Sequence, residues 1–346
     1  MADVRGVERL WFGDDALAGA ARAALAPAEA LYAAVVAARG ALYDARLLRA
    51  RASPIAVVSV GNLTVGGTGK TPVAAWLARR LADRGAHPAI VLRGYGADEP
   101  LVHQRLNPDV PVIVSPDRVA GVSRAAEETN ADVAVLDDAF QHRRAARDAD
   151  IVLVSADRWT GRRRLLPAGP WRERPRALRR ASLAIVTRKA VPPDRAARVA
   201  DELAALAPDV PRAVVHLAPG ELHRADESTR APLATLAGER VLAISAVGDP
   251  GAFAAQLAAS GARVIAAPFP DHHHFVAAEC ARLAARAGAE DARPVCTLKD
   301  AVKLHPVWPR AVPPLWYVSQ RIDVESGESA IDHLLTSLLD ASHRQP

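Results

Sequence analysis

The run Gly66-Gly67-Thr68-Gly69-Lys70-Thr71 combines the residue types that hold a nucleotide's phosphates. The three glycines let backbone N–H groups turn toward one concave point, with Thr68 between them. Lys70 can reach the β- and γ-phosphates, and the Thr71 hydroxyl can ligate Mg²⁺. The usual spacing, G-x-x-x-x-G-K-[ST], departs at one place, where Thr64 stands for the first glycine. Further on, Asp137 and Asp138 close the apolar run Val133-Ala-Val-Leu136. A carboxylate pair at the end of a buried strand, downstream of a phosphate loop, is the second half of a nucleotide–Mg²⁺ site. Each run alone has a plainer reading, a glycine turn with a surface lysine and an acidic turn. Their order along the chain favours the phosphate reading.

Such a loop needs a strand before it and a helix after it. Ile55-Ala-Val-Val-Ser-Val60 reads as the buried strand, 61–69 as the turn, and the helix opens at Lys70, with Pro72 in its first turn. There the missing proline N–H costs little, and the helix N-terminus adds partial positive charge. The helix ends at Gly85. Short apolar strands follow at 89–92, 110–114, 133–136, 151–154 and 183–186, with a helix at 118–129. This alternation predicts a parallel sheet with helices on both faces. Residues 191–240 are Pro-rich and less regular, which suggests a boundary. A second α/β unit follows, with strands at 240–245, 263–266 and 294–297, a helix at 251–260 and another ending near 287. The tail holds a strand at 315–318 and a helix at 326–340.

Residues 15–50 are Ala-rich and read as two helices punctuated by Pro27 and Gly40. Leu31, Tyr32, Val35, Val36, Leu42, Tyr43 and Leu47 recur at near-helical spacing, with Arg39, Arg46, Arg49 and Arg51 on the same segment. The segment suits either an interfacial helix on an anionic membrane or a helix packed on its own domain. A second basic region, Arg158 to Arg180, interleaves arginines with Leu165-Leu-Pro-Ala-Gly-Pro-Trp-Arg-Glu173, which suits an amphiphilic anionic ligand.

At 346 residues, half of them apolar, the chain is long enough for two cores. Its net charge of +5 and pI near 9.6 suit anionic partners. The two cysteines, Cys280 and Cys296, form no CxxC and point to neither a disulfide framework nor a zinc ribbon. No apolar stretch is long enough for a transmembrane helix, and the N-terminus lacks signal-peptide features, so the catalytic part is expected to face the cytoplasm. No recognition-helix or base-stacking motif supports a nucleic-acid partner, and no obligate protein partner is evident. Thr297-Leu-Lys-Asp300 puts its lysine in the wrong place for a guanine reader.

The ordered motifs resemble those of the tetraacyldisaccharide 4′-kinases, the lipid A pathway kinases. They are Gly61–Pro72, Arg93-Gly-Tyr-Gly96, Asp98-Glu-Pro100, Leu136-Asp-Asp-Ala-Phe-Gln-His-Arg143, Leu166–Glu173, Phe269-Pro-Asp-His-His273 and Lys299-Asp-Ala-Val-Lys303. The likeness covers roughly residues 8–320. It departs where Ala97 replaces a glycine, with the segment before it shortened, and where Leu298 replaces a glutamate.

The resemblance implies ATP- and Mg²⁺-dependent phosphorylation of the 4′-hydroxyl of a tetraacylated glucosamine disaccharide 1-phosphate. The enzyme would sit on the cytoplasmic face of the inner membrane without spanning it. The resemblance also implies a phosphate-loop α/β/α domain and a smaller α/β domain joined by a two-stranded linker. The corresponding ranges are 1–50 for membrane-associating helices, 51–212 with returning helix 326–340 for the kinase domain, 213–237 and 314–323 for the linker, and 238–313 for the smaller domain. Asp98 is then the base and His272 its support from the other domain. Lys70 acts on the phosphates, and Glu173 joins Thr71, Asp137 and Asp138 as a candidate Mg²⁺ ligand. The competing class is a phosphate-loop ATPase switch or carrier without a small-molecule acceptor.

Overall fold

The computed structural model describes residues 4–94, 98–271, 273–310 and 312–343. The chain opens with three helices, α1 (Val4–Phe12), α2 (Ala16–Ala24) and α3 (Ala26–Asp44). Asp15 caps α2 by accepting from the Ala18 N–H, and Pro27 lies in the first turn of α3. Gly40 was expected to punctuate this segment, but α3 runs through it, because a lone glycine costs a helix only about 1 kcal/mol.

Next come β1 (Ala56–Asn62), α4 (Lys70–Ala82), β2 (Pro88–Leu92), α5 (Asp98–Leu106), β3 (Val112–Val114), α6 (Arg118–Glu128), β4 (Val133–Asp137), β5 (Ala149–Ser155) and β6 (Leu183–Arg188). Then follow α7 (Pro193–Leu206), β7 (Arg212–Arg224), β8 (Arg230–Ala231), β9 (Arg240–Ser245), α8 (Pro250–Ala259), β10 (Arg263–Pro268), α9 (Ala277–Ala289), β11 (Arg293–Thr297), α10 (Leu298–Leu304), β12 (Trp316–Ser326) and α11 (Glu328–Ser342). Three helices depart from the sequence expectations. α5 and α10 occupy stretches for which no helix was expected. α7 occupies a stretch read as irregular, because Pro192 and Pro193 begin a helix there rather than break one.

Among the described residues, all twelve strands form one sheet in the order β10-β9-β11-β12-β7-β6-β5-β1-β4-β2-β3, with β8 beside β7. The sheet is mostly parallel, as its alternating α/β order requires; β7 pairs antiparallel with β12 and β8. β1 is buried along its whole length, with Val58 and Val60 toward α4 and α11 and Val57 toward α6. From α11, Ile331, Leu334, Leu335 and Leu338 enter the same core layer as Leu77 and Leu81 of α4. Such apolar runs, covered on both faces, are the mark of parallel strands.

The register of β7 sets the position of the cleft. Its first residues pair with β6, which ends opposite His216, while β11 ends at Thr297, opposite Val318, which in turn faces Leu222. The carboxyl ends of the two parallel halves therefore face each other across residues 217–221. In open α/β sheets ligands bind outside the carboxyl ends of the strands. Here two such edges share one crevice.

Candidate active site

That crevice is a cleft of about 1080 Å³. Residues 65–72, Asp137 and Asp138 line it from the larger half of the sheet, and Gly248, Asp271 and Lys299 line it from the smaller half. The phosphate loop leaves β1 and enters α4 at Lys70 as expected. Gly69 has a φ of +85°, and a Cβ there would lie 2.3 Å from Leu217, so only glycine fits both the backbone and the space. The loop is pinned by its neighbours. Asn62 donates to the Thr68 hydroxyl (3.0 Å), Thr187 donates to the Thr68 carbonyl (2.9 Å) and the Lys189 ammonium donates to the Gly67 carbonyl (3.0 Å).

Lys70 Nζ lies 3.9 Å from Asp138 Oδ1, which also accepts from Arg172 Nη1 at 2.8 Å. Burial would raise the Asp138 carboxyl, but Lys70 and Arg172 outweigh it and hold the group below the usual carboxylate range. Asp138 itself has a φ of 51°, which turns its side chain sharply away from the line of β4. Asp137 behaves differently. It is 4% exposed, its Oδ2 lies 3.0 Å from His103 Nε2, and its Oδ1 is buried with no hydrogen-bond partner among the described residues.

Asp98, the expected base, is the first residue of α5 and is buried. Its Oδ2 lies 3.8 Å from Lys303 Nζ and 4.0 Å from Lys299 Nζ, two lysines one turn apart on α10 of the smaller half. Lys299 also reaches Asp271 at 3.1 Å. The α5–α10 contact thus brings Asp98 to the junction of the halves. His272 and the segment Tyr95–Ala97 lie outside the described residues. Glu173 departs from its expected place. Its two oxygens accept from Arg180 at 2.9 and 3.0 Å, Gln141 adds a third donor, and the side chain is not on the cleft wall.

Two further cleft residues, Arg118 and Lys189, escaped the sequence reading, as did the buried His103 behind the wall. Arg118, buried at the start of α6, donates to the Asp137 carbonyl at 3.2 Å. Burial lowers its guanidinium, against the pull of Asp137 and Asp138. Ser115-Pro-Asp-Arg118, with Asp117 as helix cap, was a usable signal for that helix start. Lys189 follows the end of β6, where strand ends face the crevice. His103 carried no sequence signal, being one histidine in an unperiodic segment.

The chain has relatives of named class. The profile of the family described as tetraacyldisaccharide-1-P 4′-kinase matches residues 21–99 and 97–340. The chain belongs to this family. A tetraacyldisaccharide 4′-kinase of Anaeromyxobacter sp. (strain Fw109-5) is 42% identical, over 96% of this chain and 95% of its own. One from Halorhodospira halophila is 39% identical, over 91% and 93%. A crystal structure of LpxK from Aquifex aeolicus in complex with ATP superposes with a TM-score of 0.70 at 28% identity, covering 92% of this chain and 99% of that one. Membership of the tetraacyldisaccharide 4′-kinase family makes the chain an ATP-binding kinase and removes the switch or carrier as the leading alternative.

Proposed function

We propose that the chain transfers the γ-phosphoryl group of ATP to the 4′-hydroxyl of a tetraacylated glucosamine disaccharide 1-phosphate, in lipid A biosynthesis. The observation that carries this reading beyond family membership is the shared cleft, with a phosphate loop on one edge and Lys299 on the other, beside the buried Asp98 that Lys299 and Lys303 approach. The loop amides and Lys70 hold the transferring phosphates, and Arg172 adds charge beside them. Mg²⁺ suits this site. It binds through one or two carboxylates plus substrate phosphates, and the partnerless Oδ1 of Asp137 is an oxygen waiting for a ligand. Thr71 and Asp137 would hold the ion, which neutralises phosphate charge, while Asp138 keeps Lys70 and Arg172 aimed. Asp98 accepts the hydroxyl proton, with His272 as its support, and the two sheet halves, acting as domains hinged on β7 and β12, exclude water. Incubation with γ-labelled ATP and the lipid disaccharide 1-phosphate should place label on the lipid; label released only as inorganic phosphate would refute this reading.

The acceptor's acyl chains imply a membrane surface, and the first three helices supply a face for it. Among the described residues no single helix is long and apolar enough to cross a membrane; α2 and α3, bent by 52°, reach that measure only together. α3 docks on the kinase core through Ala33, through the Tyr32 hydroxyl donating to the Arg172 carbonyl, and through Arg39 donating to the Gln141 carbonyl. The two readings of this segment thus divide between its faces. Leu17, Leu31 and Val35 point outward, each more than half exposed. Changing these three to serine should cut partitioning onto anionic vesicles at least tenfold while ATP affinity holds; equal sedimentation with vesicles would refute the membrane face. Deleting the segment is a poorer test, because Tyr32 and Glu29 brace the loop that carries Arg172.

A further inference from the structure

We propose that His103 is a positioning residue for the metal-holding carboxylate of Asp137. This inference rests on the assignment of Asp137 to Mg²⁺ made above. His103 is fully buried on α5, and its Nε2 lies 3.0 Å from Asp137 Oδ2. An ionised carboxylate only accepts, so Nε2 carries the hydrogen and donates it. Nδ1 has no hydrogen-bond partner among the described residues, so the imidazole ends the chain of contacts and relays no proton onward.

Among the described residues, this is the one hydrogen bond to the Asp137 side chain. Arg118 grips the same residue, but at its backbone carbonyl. Without His103, no hydrogen bond among the described residues would fix the carboxylate about its Cβ–Cγ bond. With it, Oδ2 is taken and Oδ1 is left for a ligand. Burying an imidazole in this layer carries a desolvation cost that an aliphatic side chain would not. The bond to Asp137 offsets that cost and orients a ligand at the same time. Outer partners of ligating side chains do this in metal sites generally, and their loss typically costs about 10- to 100-fold in metal affinity.

The placement also joins two parts of the site. Asp98 opens α5 and His103 follows on the same helix, so one rigid element carries the candidate base and grips the acid at the end of β4. A shift of α5 at the junction with α10 would move both together.

The test is a Mg²⁺ titration of fluorescent ATP-analogue binding, without lipid acceptor, on His103→Leu, His103→Gln and Asp137→Asn. His103→Leu keeps bulk and removes the donor. It should raise the Mg²⁺ needed for half-maximal binding by about 10- to 100-fold, with metal-free nucleotide affinity unchanged. His103→Gln, whose amide can donate from a similar reach, should recover most of the loss. If Asp137→Asn shifts the titration and His103→Leu does not, the positioning role is refuted and the metal assignment survives. If Asp137→Asn leaves the titration unmoved, the metal assignment falls and this inference falls with it. Should His103→Leu fail to fold, ¹⁵N spectra of the intact wild-type protein decide. They should show the Nε2–H form with a bare Nδ1, and an Nδ1–H form would overturn the proposal.

Discussion

Lys70→Ala should lose phosphoryl transfer by at least about 10²- to 10³-fold in kcat, the scale for removing one preorganised donor from a charge-developing centre. The lysine contributes little to the fold. Among the described residues its ion-pair partner is Asp138 at 3.9 Å, and Asp138 keeps the nearer Arg172 at 2.8 Å. The stability cost should therefore stay below about 1 kcal/mol, visible as a nearly unchanged melting temperature. The remaining difference has a defined pH dependence. Asp138 titrates below its ordinary value partly because of Lys70. A depressed folded value contributes stability that is present above the unfolded value, about 3.9 for Asp, and is lost as pH falls through the folded value. The gap between wild type and variant should thus be full at neutral pH and close in acid. A Lys70→Ala enzyme with wild-type turnover would remove the phosphate-loop assignment, whatever its melting temperature.

Asp98→Asn should lower kcat by about 10²- to 10⁴-fold, the range for a general base, with ATP affinity largely kept. The position of Asp98 complicates the measurement. It is buried between Lys299 and Lys303 of α10, so a neutral amide there also weakens the contact between the sheet halves, by about 1–3 kcal/mol. Lys303→Met separates the two effects, because it removes an ammonium from the same contact and leaves the carboxylate. If Asp98 takes the proton, Lys303→Met should stay within about tenfold of wild type. Equal losses in the two variants would mean that Asp98 serves the α5–α10 contact and the base lies elsewhere. The double variant Asp98→Asn/His272→Ala should be little worse than the worse single, since members of one catalytic unit are non-additive. Additive losses would separate His272 from Asp98.

Covalent order determined a large part of this protein. Strand, glycine turn, Lys70-Thr71 and helix occupy consecutive positions, so the phosphate loop is a local structure and its residues announce it. Asp137 and Asp138 at the end of an apolar run were legible for the same reason: the strand that buries Leu136 also delivers them to the crevice. The alternation of short apolar runs with helices sufficed for a parallel sheet. Elements whose packing depends on distant partners were not legible. α5 shows little periodicity because only Asp98, Val102 and His103 are buried in it, between the sheet and a helix nearly two hundred residues further on. Nothing near His103 hints at Asp137, and nothing in Leu165–Glu173 says that Glu173 will be taken by Arg180 rather than face the cleft. The single sheet is likewise a tertiary outcome. β12 was read as a short strand at 315–318 and β7 was expected only through the family's linker, and only their antiparallel register turns the carboxyl ends of the two halves toward each other. The sequence by itself thus determined the glycine loop with Lys70 and Thr71 and the acid pair after β4, because strand and loop formation is local. The tertiary structure decided which of them meet and which are already paired, because those contacts join residues far apart in the chain whose spacing carries no signal.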